Sequence, residues 1–257
     1  MKRLAAPLFC LSLVLAACSS GSSGASSGTL TVFAASSLTG AFTQIGKDFE
    51  AAHAGDKVTF NFAASDDLSS QIESEGGADV FASASSKYMD SVSSKVGVTG
   101  QVNFAQNKLV VIVPKSNPAG IKTFADVAKA GVKLVLADAG VPVGDYAREA
   151  LTSAGIETQA MANVVSNEQD DASVVAKITS GEADAGIVYL SDVTQQVAPT
   201  VTAVPVPDNV NVVAIYPIAV VKSADNATLG QQFVDYVTGT AGQATLKSFG
   251  FLPPPAS

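Results

Sequence analysis

Histidine occurs once in these 257 residues and cysteine twice, and lysine and arginine are nowhere clustered. Each scarcity removes a class of function. A serine hydrolase needs an imidazole beside its nucleophile, and the one histidine, His53, falls near the end of an expected helix, remote from the ends of strands. A ferric-ion binder would want grouped tyrosines and histidines, whereas the five tyrosines are scattered with no adjacent pair. Nucleic acid demands a basic face, and 23 acidic residues against 15 basic ones do not supply it. The same deficit does not exclude a small anion, because helix N-termini and hydrogen-bond donors hold anions whatever the net charge.

What is present begins with an address. Lys2 and Arg3 precede an apolar run from Leu4 to Ala17 that is too short to span a bilayer, so residues 1–17 read as a signal peptide. The following LAAC, Leu15 to Cys18, resembles the lipobox of bacterial lipoproteins. That resemblance implies cleavage before Cys18, its lipidation, and an exported chain anchored to the outer face of the cell membrane. The Ser/Gly tract that follows suits a flexible tether over residues 18–28. With Cys10 in the signal and Cys18 carrying lipid, the exported domain has no disulfide and depends on its core. Without Lys2 and Arg3 it holds 13 bases against 23 acids, near −10. A hydrophobic content of 47% with only 15% charge excludes a disordered chain.

Beyond the tether, short β-branched runs alternate with helix-like stretches. TLTVFAA leads to a helix over 38–52, KVTFNFAA to 67–75, ADVFASA to 85–92, NKLVVIVP to 123–130, VKLVLAD to 143–154 and MANVVSN to 170–179. ADAGIVYL ends in a short turn, and VNVVAIYPIAVVK precedes helices over 227–237 and 243–248. This pattern predicts an α/β fold with mostly parallel sheets. Its length exceeds one ordinary core, so two lobes are expected, and the absence of a linker between them implies strands that cross from one to the other.

Ligands of such sheets bind beyond the carboxyl ends of the strands, where helices start. At these junctions stand Ser36 and Ser37, Ser65, the Val-Pro-Val-Gly turn around Val143, and Asp170 and Asp171. Ser and Asp are favoured helix caps anywhere. Their recurrence at the same end of successive strands also gathers unpaired N–H groups and positive helix ends into one neutral, electropositive socket.

These segments together resemble the periplasmic molybdate-binding proteins of ABC transporters, from Thr29 to Pro253. VFAASSL places the first ligand serine of that family on Ser37, and FAASDDLSSQI places the second on Ser65. ADVFASASSKYMD is similar to a segment ending in Lys87, Tyr88, Met89 and Asp90. VPVGDYAREAL puts a backbone donor on Val143, and GIVYLSD puts a donating hydroxyl on Tyr189. Counting back from that tyrosine assigns the remaining backbone donor to Asp171, and YPIAVV with FGFLPP matches the return strand and C-terminal stretch. The resemblance implies the two-lobed, type 2 periplasmic-binding-protein fold with the ligand in the cleft: residues 29–105 and 216–257 forming lobe 1, 106–215 lobe 2.

It also implies a monomeric binding protein, not an enzyme, with no cofactor. Its partners would be molybdate or tungstate, a membrane permease and the ATPase subunit of that permease. Donor-only coordination by Ser37, Ser65, Tyr189 and amides favours a fully deprotonated tetrahedral dianion, with sulfate or phosphate as the alternative ligand and an enzyme on the same fold as a remoter one. Hinges are expected at the crossings near 103–106 and 213–216. One departure stands out. Two carboxylates at Asp170 and Asp171, and two more at Asp66 and Asp67, would repel a dianion, so all four are expected to face solvent at helix starts, Asp171 giving only its amide.

Overall fold

The computed structural model describes residues 28–256, so the signal peptide, Cys18 and the tether up to residue 27 lie outside the described residues. In chain order the elements are β1 (Thr29–Ala35), α1 (Thr39–Ala52), β2 (Lys57–Ala63), α2 (Ser65–Ser74), β3 (Val80–Ala82), α3 (Ser86–Lys95) and β4 (Val98–Pro114). Then follow β5 (Leu134–Ala137), α4 (Pro142–Ser153), α5 (Glu157–Met161), β6 (Val164–Glu168), α6 (Asp171–Thr179) and β7 (Ala185–Tyr189). The chain closes with β8 (Val201–Pro205), β9 (Val213–Val221), α7 (Ala227–Thr238) and α8 (Thr240–Ser248).

The strands run in the order β2-β1-β3-β9-β4-β7-β5-β6, with β8 paired to β4 off that path. The outer strands are parallel, β2-β1-β3 on one side and β7-β5-β6 on the other, as the alternation of strands and helices predicts. The centre is antiparallel, because β9 and β4 run against each other and against their neighbours β3, β7 and β8. β4 pairs with β9 through Lys108 and continues from Leu109 into the ladder with β7. One strand thus belongs to both halves of the sheet, which makes the architecture two-lobed without a linker.

Strand β9 carries Pro217 in the middle of this centre, where a missing N–H would leave a gap in a regular ladder. Register shifts on β4 between Thr99 and Val102 and between Asn103 and Ala105 flank the residue opposite Pro217 and absorb the defect. The Pro217 carbonyl is used instead by Ser83, whose N–H donates to it at 3.0 Å.

Helices cover the sheet with one apolar stripe each. On α1 the buried residues are Ala41, Phe42, Ile45, Gly46 and Phe49, a single face at helical spacing. That face joins Phe60, Phe104 and Phe233 in a cluster of tilted and edge-on rings around Phe42. His53 closes the same helix, its Nδ1 at 3.0 Å from the Phe49 carbonyl and its ring stacked on Phe49. It takes part in packing at the far end of the helix from the strand ends.

The start of α4 is held closest of all. A Cβ on Gly144 would stand 2.3 Å from the Asp138 carbonyl oxygen and 2.5 Å from that of Ala137. Arg148 clamps the contact, donating to the carbonyls of Ala137 at 2.9 Å and Gly144 at 2.8 Å. Glycine therefore sets how near the first turn of α4 lies to the end of β5. Gly144→Ala must push backbone against backbone and should lower the stability of the ligand-free protein by about 1–3 kcal/mol, the usual cost of overpacking. Urea unfolding checks this, and an unchanged midpoint would mean that α4 shifts without resistance.

Candidate functional site

Five residues singled out from the sequence, Ser37, Ser65, Val143, Asp171 and Tyr189, line one small cavity together with Ser36, Ala35, Ala64, Ala84, Val141 and Pro142. Each arrives from the carboxyl end of a strand: Ser37 from the turn after β1, Ser65 from the start of α2 after β2, and Val143 from the start of α4 after β5. Asp171 opens α6 after β6, and Tyr189 ends β7. Residues 135 positions apart meet across the cavity, where the Ser36 hydroxyl donates to a carboxylate oxygen of Asp171. Beside it the Tyr88 hydroxyl donates to the Gly140 carbonyl, and Lys87 lies 3.6 Å from Asp145. The two halves are therefore in direct contact around the cavity.

The serine hydroxyls do not cap helices. The turn holding Ser37 and the helices α2 and α4 start without a side-chain cap, the preceding residues being Ala35, Ala64 and Val141. Ser65 Oγ instead accepts the Ala84 N–H at 3.0 Å, which leaves its own hydrogen free to donate. Ser37 Oγ lies 2.9 Å from the Tyr216 hydroxyl, and Tyr216 receives the Asn107 side-chain amide at 3.4 Å. Because Tyr216 accepts from Asn107, its own hydrogen is available to Ser37, an arrangement that leaves the serine hydrogen free for a guest. First-turn N–H groups of α2 and α4 have no intrahelical acceptor, so those helices add amides and positive dipole ends to the same space.

Tyr189 is 2% exposed, and its hydroxyl has no hydrogen-bond partner. Burial pushes its pKa well above the ordinary phenol value, so it is a neutral donor. Among the described residues only three buried side-chain oxygens lack a partner, and two of them, Tyr189 Oη and Asp171 Oδ2, belong to residues lining this cavity. Unpaired buried polar atoms are costly and rare. Their coincidence here marks a place built for a polar guest.

The expectation that the acids face water is corrected at Asp171. Its side chain is 2% exposed, turned inward onto Ser36 and toward Asp192. Burial raises its pKa to about 6, and the charge of the neighbouring Asp170 adds to the rise. Asp192, which accepts the Tyr189 N–H at 2.8 Å, is raised well above the carboxylate range by burial and by Asp171 next to it. The helix-start role falls to Asp170, whose carboxylate accepts the Ser173 N–H at 2.7 Å and caps α6. Asp67 is exposed as expected, while Asp66 is half-buried and its pKa is raised by desolvation. The supports Tyr216, Asn107 and Asp192 were not anticipated, since each acts through a neighbour brought near only by the fold.

A family model for bacterial extracellular solute-binding proteins matches residues 30–252. The chain belongs to this family. Within it, the chain is 41% identical over 227 residues to the molybdate-binding protein ModA of Mycobacterium tuberculosis, covering 88% of this chain and 85% of that protein. It is 36% identical over 244 residues to the molybdate-binding protein ModA of Haemophilus influenzae, covering 90% and 92%. The periplasmic molybdate-binding protein of Azotobacter vinelandii shares the fold, with a TM-score of 0.78 at 22% identity over 88% of this chain and all of that one. As a member of a solute-binding family the chain is a binding protein and not an enzyme.

Because the Tyr189 hydroxyl bonds to nothing in the protein, removing it should cost the solute-binding protein no stability. Tyr189→Phe should melt, without ligand, at the same temperature as the wild type or higher. A loss of about 0.5–1.5 kcal/mol, the value of a broken hydrogen bond, would reveal a partner for the hydroxyl.

Proposed function

We propose that this solute-binding protein captures molybdate, and tungstate with it, outside the cell and delivers the anion to the permease and ATPase of an ABC importer. The single observation that carries the reading is the cavity. Hydroxyls of Ser37, Ser65 and Tyr189 are free to donate into it, amides of Val143 and Asp171 open helices at its wall, and neither Lys nor Arg lines it. The hydroxyl and amide donors suit a deprotonated tetrahedral dianion, and Asp171 Oδ2 is the one unpartnered acceptor of the lining that a protonated oxyanion such as hydrogen phosphate could use. Size then separates molybdate and tungstate, with their longer metal–oxygen bonds, from sulfate. Two relatives named as molybdate-binding support the choice of ligand.

Delivery would use the crossing strands as hinges. The bulged segment of β4 at Asn103 and Ala105, with the facing part of β9, lies between the two halves that contribute donors. An anion bridging Ser37 and Ser65 to Val143 and Tyr189 would hold them closed for recognition by the permease. The lipobox at Cys18 would keep the monomeric protein on the outer face of the membrane.

Calorimetric titration of residues 19–257 with molybdate, tungstate and sulfate tests the ligand. Molybdate and tungstate should bind alike and sulfate far more weakly; preference for sulfate or phosphate would replace the reading with the alternative oxyanion. Ser37→Ala and Ser65→Ala should each weaken molybdate binding by about 10- to 150-fold, the worth of a hydrogen bond to a charged group of roughly 1.5–3 kcal/mol. Neither change removes a helix cap, so a large fall in ligand-free stability with unaltered affinity would assign both serines to the scaffold.

A further inference from the structure

Resting on the oxyanion reading, we propose that Asp171 is a proton-carrying ligand: capture of the dianion draws one proton from solvent onto its carboxyl group, which then donates to the anion as a side-chain O–H. The geometry leaves Asp171 no other comfortable state. Its side chain is 2% exposed and lines the cavity, one oxygen accepts from Ser36, and the other, Oδ2, has no partner. An ionised carboxylate there would stand against a dianion with no cation between them. A protonated one completes a socket of donors.

The groups facing Asp171 offer no compensating charge. From its own helix comes Asp170, engaged in capping. From the turn after β7 comes Asp192, a second buried carboxyl beside it, and from β7 and β9 come the neutral Tyr189 and Tyr216. The β5 run Leu134–Ala137 has no titratable residue, Lys108 of β4 is paired at 2.7 Å with Asp208, and Glu168 of β6 accepts from Ser166. Two buried carboxyls side by side hold a proton between them because both cannot ionise cheaply. The pair shares that first proton, and Asp171, the member that lines the cavity with an unpartnered oxygen, is the site left to take a second when negative charge arrives.

The linkage has a definite sign. In the ligand-free protein Asp171 is mostly ionised above pH 6, and the bound dianion raises its pKa further. Over the window between the two pKa values binding takes up a proton, so affinity falls as pH rises, by up to about tenfold per unit. The proton comes from water or buffer and adds to Oδ2, and no bond in the anion breaks.

Titrating molybdate at pH 6.5 to 8.5 in buffers of different ionisation enthalpy counts the protons directly. Wild type should take up close to one proton per anion at pH 7 and lose affinity steadily toward pH 8.5. Asp171→Asn, which keeps an acceptor for Ser36 and supplies a permanent neutral donor, should bind with no proton uptake and a flat pH profile. Asp192→Asn, whose neutral amide leaves Asp171 as the lone acid, should retain uptake, and it serves as the variant if Asp171→Asn does not fold. Zero uptake in wild type with molybdate firmly bound would overturn the proposal and leave the oxyanion reading intact; the carboxylate would then swing into solvent. Uptake that persists in Asp171→Asn, or is abolished in Asp192→Asn, would place the proton elsewhere and overturn it too. Tighter phosphate than molybdate binding without uptake would show an ionised Asp171 accepting from a protonated oxyanion. Absence of molybdate binding at every pH would defeat the oxyanion reading itself, and the proposal with it.

Discussion

The pairing of β4 with β9 is the constraint on which the rest of the molecule depends. It runs from Val98 opposite Val221 to Lys108 opposite Val213, and β4 then passes directly into the ladder with β7 and β8. The chain crosses between halves along these strands, so the strand ends that present Ser37 and Ser65 are set opposite those that present Val143, Asp171 and Tyr189 by a hydrogen-bonded ladder and not by a loop. Pro217 and the register shifts opposite it fall within this same ladder. A defect in a central pairing is ordinarily a weakness. Here it makes the connection locally irregular where the halves meet.

The cavity follows from that opposition and from small residues. Ala35, Ala64 and Ala84 line it between the donors, and Gly144 brings the α4 start down onto β5. Larger side chains at those places would fill the space or move the helix ends apart. Orientation of the hydroxyls is fixed one layer farther out: Ala84 N–H on Ser65, and the chain from Asn107 through Tyr216 on Ser37. Binding energy then does not have to be spent ordering the donors.

Much of this was legible in the sequence. The strand and helix alternation and the crossing without a linker could be read because they rest on local pattern, β-branched runs and turn residues, and the family resemblance picked out Ser37, Ser65, Val143, Asp171 and Tyr189, which the fold brings to one cavity. What escaped depends on partners distant in the chain. The first half of β4, from Val98, includes exposed polar residues and a glycine with positive φ, Gly100, and it is a strand because β9 lies beside it. The short α5 and β8 carry too few residues for a period to register. The roles of Asn107 and Tyr216 appear only once Asn107 is brought from β4 to β9 and to the turn after β1.

Asp171 departs from what its place at a helix start implies, because it sits on the buried face of α6. An acid at a helix start gains from the dipole and has no reason to be buried, and Asp170 behaves in just that way. One residue later, at the first helical position of α6, the side chain points to the face packed against the turn after β1 and the turn after β7. Position in the helix, not residue type, decides which of the two neighbours is solvated. Once inside, a carboxyl is tolerated only with hydrogen bonds and a raised pKa, and both are found at Asp171. Net charge is a weak guide to such a site for the same reason: the exposed acids that make this chain acidic are screened over about 8 Å, whereas buried dipoles and a buried carboxyl would act on a bound anion at contact.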